Sequence, residues 1–169
     1  MRAIRTILVP HDFSDYSREA VETAVDLARQ VKAESLHLLH VVNPPTYLYA
    51  SMIDAPSPSP LASMLVRAEE RLQAIAAELA GVPLQIETHV VESSGVAATI
   101  DAFAKQVGAD LVVMGTHGRS GFSHLVHGSV TELAQRHSPC PVLAVRPREA
   151  VESDPLPIVH PQPSSALPG

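Results

Sequence analysis

Tryptophan is missing from this 169-residue chain, and aromatic residues together reach only 4%. Any core must therefore be aliphatic, built from Val, Leu, Ile and Ala. That suits helices packed on a parallel sheet, whose strands read as near-continuous aliphatic runs. Lysine is almost absent, with Lys32 and Lys105 alone, and the formal net charge is −6. No run of Lys or Arg supplies the basic face that a nucleic-acid reader carries, so nucleic acid is not an expected partner. The single cysteine, Cys140, excludes an intramolecular disulfide and fits a reducing compartment. Flanked by Pro139 and Pro141, it reads as a packing residue rather than a reactive thiol. Long hydrophobic runs are also missing. Arg2 and Arg5 precede Ile7-Leu8-Val9, but that run stops at Pro10-His11-Asp12, too short for a signal peptide or a membrane span. The expectation is a cytoplasmic protein with no membrane association.

What is present is a soluble globular composition, 46% apolar and 18% charged, with a length suited to one domain. Thr6–Pro10 reads as a buried first strand. Ala20, Val21, Ala24, Val25, Ala28 and Val31 then recur at spacings of three and four, one face of a helix capped by Ser14 or Asp15. Ser35–Val42 reads as a second strand. The segment Asn43–Pro60, with five prolines, fits no regular element and is expected to be a long functional or mobile loop. A second helix is expected over Leu61–Leu79, stopped by Gly81-Val82-Pro83. Leu84–Val91 alternates apolar and polar residues, the pattern of a half-exposed strand towards a sheet edge. Val96–Val107 is a third helix, with Gly108 as its C-terminal cap. Leu111–Met114 is a fourth strand, Val130–His137 a fourth helix, and Val142–Val145 a fifth strand. Strict β-α alternation predicts an α/β domain, a parallel sheet with helices on both faces. After Arg146 six prolines fall within 23 residues, and this 147–169 tail is expected to be disordered or weakly tethered. A short peptide ligand for a partner is its alternative reading. The globular domain is thus expected over residues 1–146.

In such sheets ligands bind beyond the carboxyl ends of the strands. The unusual loops, His11–Ser14, Asn43–Pro60 and Gly115–Gly128, all fall there. The last places Gly115, Gly118, Gly121 and Gly128 with His117, Arg119, His124 and His127 in an otherwise acidic chain, just before a helix. Glycines allow close backbone approach, and a helix start presents unpaired N–H groups, so the pattern points to phosphate. Backbone amides, Ser129 and Arg119 are the expected contacts. Ser129-Val130-Thr131-Glu132 also reads as a capping box, and a purely structural turn is the alternative. No lysine follows Gly128, so the loop is not a Walker A motif, and no Gly-x-Gly-x-x-Gly run is present. Asp12 is placed to accept from a ribose or adenine donor or to approach a phosphate-bound Mg²⁺. It is equally placed to start the helix. The loop histidines lack a Cys or carboxylate cluster that would complete a metal set, and His37 and His40 read as strand residues, so no metal site is expected. No catalytic residue is identified.

The pattern Gly-x2-Gly-x9-Gly-Ser at Gly115, Gly118, Gly128 and Ser129 resembles the ATP-binding motif of universal stress proteins. Ile7-Leu8-Val9-Pro10-His11-Asp12-Phe13-Ser14, Leu38-Leu39-His40-Val41-Val42 and Pro139–Arg146 resemble that family's first, second and closing strands, in the same order. The resemblance implies a five-stranded Rossmann-like sheet of the adenine nucleotide alpha hydrolase type, in the order 3-2-1-4-5. It implies ATP or another adenine nucleotide, with Mg²⁺, in the cleft, and a stress-response sensor or regulator. Asp12 and the backbone of Val41 would meet the adenosine, and Pro10 and Met114 would wall it. Gly115, Gly118, Gly128, Ser129 and Val130 would surround the phosphates, beside His117 and Arg119. It further implies a homodimer through the last strand, Val142–Val145. A slow ATPase and an interaction module with a vestigial cleft are the competing readings.

Overall fold

A computed structural model describes residues 3–45, 59–116 and 130–146. Most of the Asn43–Pro60 loop, the glycine-rich segment from His117 to Ser129, and the 147–169 tail lie outside these residues. The described elements follow one another as β1 (Thr6–Pro10), α1 (Asp15–Val31), β2 (Ser35–Val42), α2 (Pro60–Glu78), β3 (Gln85–Glu92), α3 (Val96–Gln106), β4 (Leu111–Gly115), α4 (Val130–His137) and β5 (Val142–Val145). All strand pairs are parallel, and the order across the sheet is β3-β2-β1-β4-β5, as the resemblance implies.

The strands alternate their side chains between two aliphatic layers. Ile7, Val9, Leu36, Leu38, Leu111 and Val113 face α1 and α2, where they meet Ala20, Ala24, Ala28 and Leu72. Leu8, Leu39, Val112 and Met114 face α3 and α4, against Ile100, Phe103, Ala104 and Ala134. Burial on both sides is why β1 and β4 read as unbroken apolar runs, while β3, at the edge, alternates. Each fully buried Leu, Ile or Val contributes about 1.5–3 kcal/mol.

Local chemistry sets the helix ends. Ser14 caps α1, its Oγ accepting from the Ser17 amide at 3.3 Å. Pro60 occupies the first turn of α2 behind the cap Ser59, so that helix starts one residue earlier than its apolar stripe suggests. After α3 the chain turns at Gly108, at φ +63°. Its amide donates to Lys105 O at 3.2 Å, and the Ala109 amide to Ala104 O at 2.9 Å. That pair of bonds is a Schellman motif, and it makes Val107 the cap rather than the last helical residue. β3 runs one residue later than its apolar alternation suggests, because its register on β2 pairs Gln85 with Ser35 and Glu92 with Val42. Among the described residues, no helix is long and apolar enough to cross a membrane.

Candidate functional site

In this sheet β1 has β2 on one side and β4 on the other, so the chain order reverses between β1 and β4. The crevice beyond their carboxyl ends is the topological switch point. A cleft opens there, lined by Pro10 at the end of β1, by His11 and Asp12 after it, and by Leu39, His40 and Val41 from β2. Met114, Gly115 and Thr116 contribute from β4, with Ser17, Val96 and Ile100 from flanking helices and Val130 and Thr131 from α4. Six of the residues expected from sequence, Pro10, Asp12, Val41, Met114, Gly115 and Val130, thus share one cavity. His117, Gly118, Arg119, Gly128 and Ser129 lie outside the described residues.

The turn after β1 is held by short-range chemistry. The Asp12 carboxylate accepts from the Ser14 amide at 3.1 Å and from the Ser14 hydroxyl at 2.6 Å. Asp12 thus organises the helix start, as its turn reading expects, and its residue also lines the cleft. Phe13 sits at φ +66°, unusual for a bulky residue. Its ring pays for that conformation in contacts, with Arg71 Cζ 3.9 Å over the centroid and the His40 ring 4.4 Å away.

His11 and His40 enter the cleft lining without having been singled out from sequence. His40 Nδ1 donates to the His11 carbonyl at 2.6 Å, which fixes its tautomer. His11 Nδ1 accepts from the Phe13 amide at 3.0 Å, so that nitrogen carries no proton. Burial, partly countered by Asp12 and reinforced by His40, Arg71 and Arg18, lowers the His11 pKa to about 4. The cleft floor therefore carries a neutral imidazole at neutral pH.

Across the cleft, Gly115 is glycine because α1 passes over it. A Cβ there would lie 2.7 Å from Tyr16 Cβ and 2.9 Å from the Tyr16 carbonyl carbon and oxygen. The Gly115 carbonyl accepts from the buried Thr131 hydroxyl at 2.8 Å, which ties the start of α4 to the end of β4. Thr131 could have been found from sequence only as the third residue of the capping box. Glu132, the last of that box, accepts from Arg136 at 2.6 Å.

The fold and the cleft together define a doubly wound parallel α/β domain with a crevice at its switch point. Residues 3–146 match the family model described as "Universal stress protein family". Universal stress protein MJ0531 of Methanocaldococcus jannaschii is 33% identical over 145 residues, covering 84% of this chain and 82% of its own length. Among solved structures, hypothetical protein MJ0577 superposes with a TM-score of 0.71 at 28% identity, over 85% of this chain and 96% of that one. A universal stress protein in complex with cAMP superposes at 0.55 with 30% identity, over 85% and 98%. The chain belongs to the universal stress protein family.

Proposed function

We propose that the cleft binds an adenine nucleotide, ATP with Mg²⁺ foremost, and that the chain works as a cytoplasmic stress-response sensor or regulator. The observation that carries this reading is the convergence of Pro10, Asp12, Val41, Met114, Gly115 and Val130 on one cavity at the switch point. Pro10 and Met114 offer apolar walls to a base. Asp12, oriented by Ser14, offers a carboxylate to a ribose or adenine donor. The 117–129 segment starts after Thr116 and ends before Val130, and both of these residues line the cleft. Gly118, Gly128 and Ser129, with His117 and Arg119, are therefore the proposed phosphate contacts, together with the amides at the start of α4.

The relative solved with cAMP supports the adenine class and favours a cyclic nucleotide as the second reading. No lysine stands between Gly115 and Val130 in the sequence to clamp the phosphates, which favours binding over phosphoryl transfer. The proposed assembly is a homodimer through β5, an edge strand on which Leu143 is 39% exposed. Calorimetry on nucleotide-stripped protein, with ATP and Mg²⁺, AMP and cAMP in separate titrations, tests the function. Binding of ATP is expected, weakened at least about tenfold by Gly118→Ala and Gly128→Ala in a protein that still unfolds cooperatively. No heat with any of the three at millimolar concentration removes the reading, and cAMP alone binding selects the second one.

A further inference from the structure

On the face of the sheet that packs α3, the register of β2 on β3 sets His37 opposite Glu87 and Leu39 opposite His89. Three potential donor atoms converge there. His37 Nδ1 and His89 Nε2 are 3.1 Å apart, and Glu87 Oε2 lies 3.6 Å from each. The first distance is a hydrogen bond, which a neutral histidine pair forms with one shared proton. The other two are too long to be hydrogen bonds, yet the carboxylate oxygen faces both nitrogens equally. A hydrogen-bonded histidine pair accounts for one side of this triangle, and the carboxylate meets the other two corners only at ion-pair distance.

A metal ion accounts for all three. Zinc takes His nitrogen and carboxylate oxygen at about 2.0–2.2 Å in tetrahedral geometry, so two of its ligand atoms stand about 3.3–3.5 Å apart. The observed sides of 3.1, 3.6 and 3.6 Å bracket that edge. We propose that His37 Nδ1, His89 Nε2 and Glu87 Oε2 form a binding site for a divalent first-row metal ion, zinc foremost, with water at the fourth corner.

The surroundings are those of a held ligand set. The His37 side chain is 10% exposed, fixed in the sheet by its neighbours. The His89 ring packs on Phe103 of α3, with centroids 4.7 Å apart. Gln85 Nε2 donates to Glu87 Oε1 at 2.7 Å, which turns the other carboxylate oxygen towards the imidazoles. Because β3 is an edge strand, Glu87 and His89 remain open to solvent, giving an entry path and room for the water. Among the described residues this is the one group of three or more His, Cys or carboxylate side chains with donor atoms so close. His37 lies in the amino-terminal half of β2, whereas His40 and Val41, which line the proposed nucleotide cleft, lie towards its carboxyl end; Leu39, opposite His89, borders both.

The test is a Co²⁺ titration of tag-free, chelator-stripped full chain, read by the visible d–d bands of tetrahedral cobalt and by displacement with Zn²⁺. One equivalent of tetrahedral cobalt, displaced by one of zinc, is expected. His89→Phe, which keeps an aromatic ring on Phe103, and Glu87→Gln, at a half-exposed side chain, should each weaken binding by more than about tenfold. A triple variant, His117→Ala with His124→Ala and His127→Ala, should bind as the parent does. Circular dichroism of each variant checks the fold. The proposal is overturned by the absence of a tetrahedral spectrum, by a spectrum unchanged in folded Glu87→Gln, or by one lost in the triple variant.

Discussion

Placing a methyl group at Gly115 tests whether the cleft is built around a backbone-to-backbone contact. The Cβ of Gly115→Ala would meet Tyr16 Cβ at 2.7 Å and the Tyr16 carbonyl carbon and oxygen at 2.9 Å. All three atoms belong to the stem or backbone of α1's first turn, so no rotamer change relieves the overlap. Either α1 or the end of β4 must move, and both carry the cleft. Overpacking of this kind costs about 1–3 kcal/mol, a fall of roughly 2–12 °C in Tm for a chain of this size. Two other glycines calibrate the number. Gly81 has nothing within 4 Å of an added Cβ and no positive φ, so Gly81→Ala should be neutral or stabilise by about 0.4–1 kcal/mol. Gly108 is also open but sits at φ +63°, so Gly108→Ala should cost about 1–2 kcal/mol through strain alone. Urea unfolding of the three variants and the parent gives the order: Gly81→Ala most stable, Gly115→Ala and Gly108→Ala below the parent. Nucleotide titration then separates the last two, since only Gly115→Ala should also weaken binding. A Gly115→Ala protein as stable as the parent would refute the close-approach argument.

Stability should also depend on His11. Its folded-state pKa, about 4, lies below the ordinary imidazole value of 6.5. As pH falls the unfolded chain therefore binds the proton first. The His11 contribution is fully present above about pH 6.5 and declines as pH falls towards about 4, by up to about 3 kcal/mol. Urea midpoints for the parent and His11→Gln across this range should converge as pH falls, and parallel curves would exclude the effect. At the other edge of the sheet, Leu143→Arg should shift the proposed dimer towards monomer in sedimentation velocity, with unchanged circular dichroism. A monomeric parent, or a dimer indifferent to the substitution, would remove β5 as the interface.

Much of the fold was legible because each element carries its own local signal. Thr6–Pro10, Ser35–Val42 and Val142–Val145 begin and end where the aliphatic runs do. The boundaries that moved did so for reasons apolar spacing does not encode. Pro60 extends α2 backwards because it lacks the amide that a first-turn residue leaves unused anyway. Val107 leaves α3 because the Schellman bonds from Gly108 and Ala109 close the helix one residue earlier. Strand order is a different kind of information. Alternation alone gives a parallel sheet, whereas the position of β1 between β2 and β4 follows from the family resemblance, and the structure has that order.

The same division runs through the sites. The cleft positions stand at strand ends or just past them: Asp12 and Gly115 through their local context, Pro10 at the end of β1 and Met114 near the end of β4 through the family resemblance. What sequence could not give is the reason for each residue. Gly115 looks like a phosphate-loop glycine, yet its missing Cβ is demanded by Tyr16. His11 looks like a turn residue, yet burial makes it a neutral acceptor for the Phe13 amide. The His37–Glu87–His89 group was beyond reach altogether. His89 lies 52 residues from His37, and the approach of the three depends on the pairing of His37 with Glu87. A slip of one residue would turn Glu87 and His89 to the opposite face, since side chains alternate along a strand. No spacing rule for metal ligands spans two parallel strands joined through a helix. Such a set becomes visible only when register is known, and register here is fixed by the two aliphatic layers rather than by the ligands themselves.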